Sequence, residues 1–343
     1  MPSTVFDSAI YRDFFGTPAM RAVWSDEALV ARYVEVEVAL AKAEARVGLI
    51  PADAAKEIAG KSDASKLDLA KLKAETDIVG YPIIGIVHQM AKQCGEAGRY
   101  VHWGATTQDI MDSATVLQLR AALDTINDEL HAVARALESL AAKHRDTVMA
   151  GRTHMQHALP VTFGYKAAVW LSSVRRDKAR LAELRKRLLV VQFSGAAGTL
   201  ASLGGDGLKV QAALAEELGL AQPDITWHAA RDTIAEVGSA LAILAGGLAK
   251  IATDVMLMMQ TEVAEAFEPF VKGRGGSSTM PQKRNPISCE MILAIAKAVR
   301  SDASLLLDAM AADHERATGP WHLEWIALPR AFIATAGALS QAR

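Results

Sequence analysis

Cysteine is almost missing from this 343-residue sequence, which holds only Cys94 and Cys289. Two thiols so far apart give neither a disulfide framework nor the paired spacing of a zinc site, so a reducing, cytoplasmic setting is expected. Aromatic residues are scarce at 6 %, and with alanine and leucine dominant this favours helices packed closely on one another over sheets. Excess charge is missing too. The formal net charge is -2, which excludes the broad basic face that nucleic acid requires. The most hydrophobic run, Val237 to Ala249, is closed by Glu236 and Lys250. At about 13 residues it falls short of the roughly 18 of a membrane span and predicts a helix buried all round. Met1 to Phe15 includes Asp7 and Asp13 and has no sustained apolar run, so no signal or transit peptide is expected. No helix pairs histidines at i, i+4 around a glutamate, and no nicotinamide fingerprint occurs. No metal or cofactor is expected.

What is present is the composition of a folded protein, 51 % hydrophobic and 22 % charged, and an all-α fold is predicted. Residues 1–105 read as a small helical domain, with helices over Asp26 to Val47, Pro51 to Ala59, Lys66 to Glu75 and Pro82 to Cys94. From 106 to 343 the pattern is that of a long-helix bundle, with helices predicted at about 108–144, 161–191, 230–267 and 286–313. In the first of these, Leu119, Leu123, Ile126, Leu130, Val133, Leu137 and Leu140 alternate spacings of four and three, a coiled-coil-like seam. The glycine-rich stretch Ser194 to Gly205 follows no predicted strand and precedes no Gly-Lys-Ser/Thr. Chain reversal with close backbone approach is its expected use.

The most informative segment is Gly275-Gly276-Ser277-Ser278-Thr279-Met280-Pro281-Gln282-Lys283-Arg284-Asn285-Pro286. From Pro269 to Pro286 the chain carries Lys272, Arg274, Lys283 and Arg284 and no acidic residue. A local positive field on a near-neutral protein points to a small polyanionic ligand, although a solvated Gly/Ser connection with scattered charges has the same composition. Asn285 before Pro286 predicts a helix N-cap, with open amide donors aimed outward.

This loop resembles the signature loop of the fumarase/aspartase superfamily, whose members cleave or form bonds beta to a carboxylate. His102-Trp103-Gly104-Ala105-Thr106-Thr107-Gln108-Asp109 and Gly151-Arg152-Thr153-His154-Met155-Gln156-His157 match two further superfamily stretches in the right order. The wording is most similar to the bacterial 3-carboxy-cis,cis-muconate cycloisomerase group, with adenylosuccinate lyases as near neighbours. The resemblance implies Ser277 as the catalytic base, Lys283 as a cation stabilising the dianionic aci-carboxylate, and His154 as a carboxylate ligand or proton relay. It further implies substrate contacts from Ser278, Met280, Asn285, Thr106, Thr107, His102, Thr153, Gln156 and His157, and more loosely from Arg231 and Arg316. Thr106 with Asp109 also reads as a helix cap, His157 as a helix-end cap, and Arg231-Asp232 and Glu315-Arg316 as surface ion pairs.

A helix over 108–144 is about 55 Å long, with Thr106 before its start and His154 after its end. One chain cannot bring both to one substrate. The resemblance implies a homotetramer with active sites shared between subunits and a small di- or tricarboxylate substrate, with no nucleic acid or membrane partner. The superfamily's usual small helical domain after the bundle is expected to be absent, since the sequence stops at Arg343. The leading expectation is cycloisomerisation of 3-carboxy-cis,cis-muconate. Cleavage of adenylosuccinate or another N-substituted aspartate stands second, because Thr76 occupies the place of that group's catalytic histidine. A non-catalytic helical scaffold is a remote third.

Overall fold

Helix caps written into the sequence set the ends of many elements in the computed structural model, which describes residues 4–269, 271–316 and 318–343. The first three positions of the Met1 to Phe15 segment and one position of Pro269 to Pro286 lie outside them. In chain order the elements are α1 (Arg12–Phe15), α2 (Pro18–Val23), α3 (Asp26–Val47), α4 (Ala52–Lys61), α5 (Leu69–Val79), α6 (Ile83–Cys94), α7 (Thr107–Lys143), β1 (Val148–Thr153), β2 (Gln156–Thr162), α8 (Phe163–Leu188), α9 (Gly207–Leu218), α10 (Asp232–Met259), α11 (Ile287–Asp308) and α12 (Pro320–Ala342). Ser25 caps α3 by accepting the Ala28 amide, and Gly48 ends it in the left-handed conformation. Asp68 and Gly80 bracket α5 in the same way. α7 contains no glycine or proline, so nothing interrupts its 37 residues.

Two buried clusters share α7. Ile110, Met111, Ala114 and Leu117 pack with α3, α4, α6 and α9, whereas Leu119, Leu123, Ile126, Leu130, Val133 and Leu137 pack with α8, α10, α11 and α12. The predicted seam is therefore the spine of the larger core, with Leu140 packed at its edge. An all-α fold is observed with one addition, an antiparallel hairpin pairing β1 with β2. Its strands are mostly exposed, so no alternating buried face marked them in the sequence. α9 was not anticipated either, being masked by the glycines around it.

α10 departs from expectation on two counts. It stops at Met259 rather than near 267, and it is not buried all round. Ile234, Val237, Leu241, Leu244 and Leu248 face the core, while Ile243 is 50 % exposed. By length and composition Asp232–Met259 is apolar enough to cross a membrane, with a mean hydropathy of 1.7 over its best window. Its outward face forms one wall of a groove of about 450 Å³ with α8, lined by Leu184, Ala240 and Ile243 and edged by the Arg187–Glu236 ion pair.

Glu44 on α3 is fully buried, and neither carboxyl oxygen has a hydrogen-bond partner among the described residues. Burial, reinforced by the negative charge of Glu37, pushes its carboxyl up to about 9. An unfolded chain ionises this group near 4.5. Its stabilising contribution is thus complete below that pH and is lost as pH rises towards the folded value. Glu44→Gln is therefore expected to be more stable than the unsubstituted chain at pH 8 by a wider margin than at pH 5.5, measured by urea unfolding. An equal difference at both pH values would show that Glu44 is ionised in the folded protein.

Candidate active site

At the start of α7 the residue after Ala105 must both begin a helix and leave room for a ligand. The Thr106 amide donates to Asp109 Oδ2 at 3.0 Å, one half of the predicted cap. Asp109 does more than close the helix. Fully buried, its carboxylate also accepts the Ser194 and Gly195 amides at 2.9 Å and lies 2.7 Å from His228 Nε2. The glycine-rich crossing is thereby bound to the α7 terminus, as close backbone approach predicted. Arg316 reaches the same place, donating to Thr106 Oγ1 at 3.0 Å and to the Ala196 carbonyl at 2.7 Å. Thr107 is half-buried beside it. His102 stands with a left-handed backbone, φ 65°, and its Nδ1 lies 2.7 Å from Glu37 Oε1. Burial opposes the charged imidazole, but Glu37 and then Asp109 outweigh it and raise the pKa above the ordinary 6.5.

Arg231 corrects an expectation. Neither a surface ion pair nor open to a ligand, it is buried between two carboxylates. Nη1 and Nη2 donate to Asp112 at 2.8 and 2.9 Å, and Nε and Nη2 donate to Glu324 at 2.8 and 2.6 Å. Burial disfavours the cation, yet Asp112 and Glu324 together hold its pKa well above that of a free guanidinium. With its fork committed, Arg231 ties α7, α10 and α12 together and is removed from the substrate-binding set.

The signature loop is folded on itself. Gly276 pairs with Arg284 in an antiparallel bridge, and the Asn285 amide donates to the Gly275 carbonyl at 2.8 Å. Gly275 has φ 66°, and a Cβ there would fall 2.4 Å from the Asn285 carbonyl oxygen, so only glycine fits. Within the loop, Ser277 Oγ accepts the Met280 amide at 3.1 Å and the Thr279 amide at 3.3 Å. Ser278, Met280 and Lys283 are exposed and Asn285 is half-buried. Of the four cations, Arg274 is committed to Ser288 and Gln341, and Arg284 lies over the Phe267 ring. The predicted Asn285 cap is not formed. α11 starts one residue later, and its first amides, on Ser288 and Cys289, are taken by the Glu268 carboxylate at 3.4 and 2.9 Å. A helix end filled by its own carboxylate does not present itself to a substrate.

His154 and Met155 form the two-residue turn of the hairpin, with Thr153 opposite Gln156 and Arg152 opposite His157. Both central residues have positive φ, 50° and 65°. Glycine or asparagine usually fills such a turn, and strain of this kind costs about 1–3 kcal/mol per residue and gathers at functional sites. Thr153, His154, Gln156 and His157 are all exposed, and Met155 and Leu159 are 75 % and 80 % exposed. Arg152 anchors the hairpin through two 2.7 Å bonds to Glu265.

One chain thus groups His102, Thr106, Thr107 and Arg316 at the beginning of α7. Glu265 holds the hairpin and Glu268 caps the helix after the signature loop, so those two segments share the opposite end of the bundle. Sequence reading missed Glu37, Glu268 and His228, whose partners lie 65, 20 to 21 and 119 residues away. Only the capping signal at Asp109 was local enough to find. Among the described residues no group of three His, Cys, Asp or Glu side chains is arranged to hold a metal ion.

A family model described as Lyase matches residues 15–301. The chain is 48 % identical to trans-aconitate decarboxylase 1 of Mycosarcoma maydis, over 100 % of this chain and 70 % of that protein. It is 47 % identical to 3-carboxy-cis,cis-muconate cycloisomerase of Bradyrhizobium diazoefficiens, over 97 % and 75 %. The crystal structure of 3-carboxy-cis,cis-muconate lactonizing enzyme from Pseudomonas putida superposes with a TM-score of 0.93 at 44 % identity, over 98 % of this chain and 76 % of that one.

Arg231→Met should lower the unfolding free energy by about 3–5 kcal/mol, because Asp112 and Glu324 are left buried without their cation. Urea denaturation measures this. Unchanged stability with a raised KM would return Arg231 to the substrate-binding set.

Proposed function

The chain belongs to the lyase family of the fumarase/aspartase superfamily, and from that premise we propose that it converts 3-carboxy-cis,cis-muconate to 4-carboxymuconolactone. A carboxylate oxygen of the substrate adds to a double-bond carbon, forming the lactone C–O bond. The displaced electron pair moves onto a neighbouring carboxylate as an aci-carboxylate, and the carbon between them then takes a proton from the Ser277 hydroxyl. Solvent restores that proton, so substrate and product are isomers in their neutral forms. In the reverse, elimination direction Ser277 is the base.

The observation that carries this reading is the pair of amides on Ser277 Oγ. Hydrogen bonds donated to an oxygen favour its charged form, so the Thr279 and Met280 amides favour a Ser277 alkoxide. The exposed ammonium of Lys283 is placed to attract a carboxylate to the same loop. Thr106, Thr107, His102 and Arg316 supply carboxylate contacts, and His154 with Thr153, Gln156 and His157 supplies the proton relay and further contacts. Because these groups sit at opposite ends of α7, the site is assembled in a homotetramer. The exposed face of α10 is the subunit contact, its flanks carrying the Arg187–Glu236 and Lys250–Asp254 ion pairs that a lipid-facing helix would not tolerate. We infer a cytoplasmic enzyme.

A second reading is decarboxylation of an unsaturated tricarboxylate, supported by the 48 % identity to the Mycosarcoma maydis enzyme. Both readings share the substrate class. Adenylosuccinate cleavage has less support, since Thr76 Oγ1 donates to the Leu72 carbonyl at 2.8 Å and serves its own helix.

Parallel assays with carboxymuconate, trans-aconitate, adenylosuccinate and fumarate separate these readings. Fastest loss of carboxymuconate absorbance, with one solvent deuterium retained in the product, is expected. Efficient release of CO2 or fumarate instead would replace the proposed reaction. Ser277→Ala should lower turnover at least about a hundredfold with helicity and assembly unchanged. Near-normal turnover would remove Ser277 from its role.

A further inference from the structure

Ile83, Ile84, Val87 and His88 of α6, together with His102, line a cavity of about 180 Å³ beside the start of α7. Three walls are hydrocarbon, and both remaining side chains are imidazoles backed by carboxylates. His102 Nδ1 is engaged by Glu37 at 2.7 Å, which leaves Nε2 free for a ligand, as a donor when the ring is protonated. Glu37 is buried, and its second oxygen has no hydrogen-bond partner among the described residues. Such a carboxylate is costly to enclose unless a cation stands against it. His88 Nδ1 lies 3.6 Å from Glu75 Oε2. Gly85 makes that approach feasible, since a Cβ there would fall 2.7 Å from the same oxygen. The charged groups around the pair are Glu37 on α3, Asp109 on α7, and Glu75 with its neighbour Lys71 on α5.

We propose that this groove is a carboxylate subsite, in which His102 and His88 hold the third carboxylate of an unsaturated tricarboxylic acid whose hydrocarbon stem lies on Ile83, Ile84 and Val87. It rests on the tricarboxylate reading given above. Glu37 is a positioning residue, keeping the His102 ring oriented and favouring its protonated form. His88 is the selective element, because it borders the groove from α6 and belongs to none of the three superfamily stretches. A dicarboxylate reaches the rest of the site and leaves this groove empty.

The test uses the assembled enzyme with tricarballylate as a tricarboxylate probe and glutarate as the matching dicarboxylate. Diethyl pyrocarbonate labelling of histidines is read by mass spectrometry, with exposed His131 on α7 as the internal reference. Tricarballylate is expected to slow labelling of His88 and His102 at least about fivefold, leave His131 unchanged, and protect far better than glutarate. By calorimetry, His88→Gln should weaken tricarballylate roughly tenfold through loss of a ligand contact and Glu37→Gln by a similar factor through misorientation of His102, while His88→Gln leaves glutarate affinity the same. His88→Gln changes a side chain that is 63 % exposed, so the test survives if Glu37→Gln fails to fold. Unchanged labelling at millimolar tricarballylate, or equal affinities in both variants, overturns the subsite. Protection without turnover of carboxymuconate supports the subsite and sinks the proposed substrate. Turnover without protection does the reverse.

Discussion

The length of one uninterrupted helix governs the rest of the structure. α7 runs for 37 residues without a breaker, about 55 Å at the usual rise, and its ends carry two of the three segments on which the chemistry is built. Packing fixes this separation, since buried residues from Ile110 to Leu137 line most of its length. No loop motion closes such a gap. On the proposed reading, a site needing both Thr106 and His154 draws them from different copies of the chain. Its hairpin is exposed with a strained turn at His154 and Met155, and α10 turns an apolar flank outward.

The beginning of α7 is correspondingly rigid. Asp109 gathers the helix terminus, the glycine-rich crossing and His228 onto one carboxylate, and Arg231 locks Asp112 to Glu324 one turn further on. Buried hydrogen-bonded networks hold geometry at the expense of desolvation, which fixes Thr106 and Arg316 in place at the start of the helix. The signature loop obeys a different logic. It is exposed and tethered at few points, the Gly275–Asn285 bond, the Gly276–Arg284 bridge and the arginine contacts, while the Thr279 and Met280 amides hold the Ser277 hydroxyl. On the proposed reading, a loop held this way closes over substrate without rebuilding the turn around Ser277.

Sequence and structure agree wherever the deciding contacts are local. α3 runs from Asp26 to Val47 as read, and the leucine seam of α7 is a core spine. The hairpin escaped because its turn uses His154 and Met155, neither of which signals a left-handed backbone, and because its strands lack a buried face. Asn285 and Pro286 did mark the region where α11 begins, but Glu268, about 20 residues upstream, supplies the cap that the Asn285 side chain was expected to provide. Arg231 was misread as exposed because its partners lie 119 and 93 residues away, beyond any local pattern. The residues singled out by the superfamily resemblance do fall into spatial groups, His102, Thr106, Thr107 and Arg316 at one end, the hairpin and Ser277 loop at the other. Their number per site is a property of the assembly, which no local pattern encodes.

The shared site is therefore the central claim, and subunit complementation measures it most directly. One protein carries Thr106→Ala and Thr107→Ala and another carries His154→Asn. Both are dissociated, mixed in equal amounts and reassembled. If each site draws the two segments from different chains, random mixing leaves about one quarter of sites with both intact. Activity should then recover towards that fraction of the unsubstituted enzyme, while either variant reassembled alone stays inactive. No recovery in confirmed hybrid oligomers would contradict the account and require both segments to reach one site from a single chain.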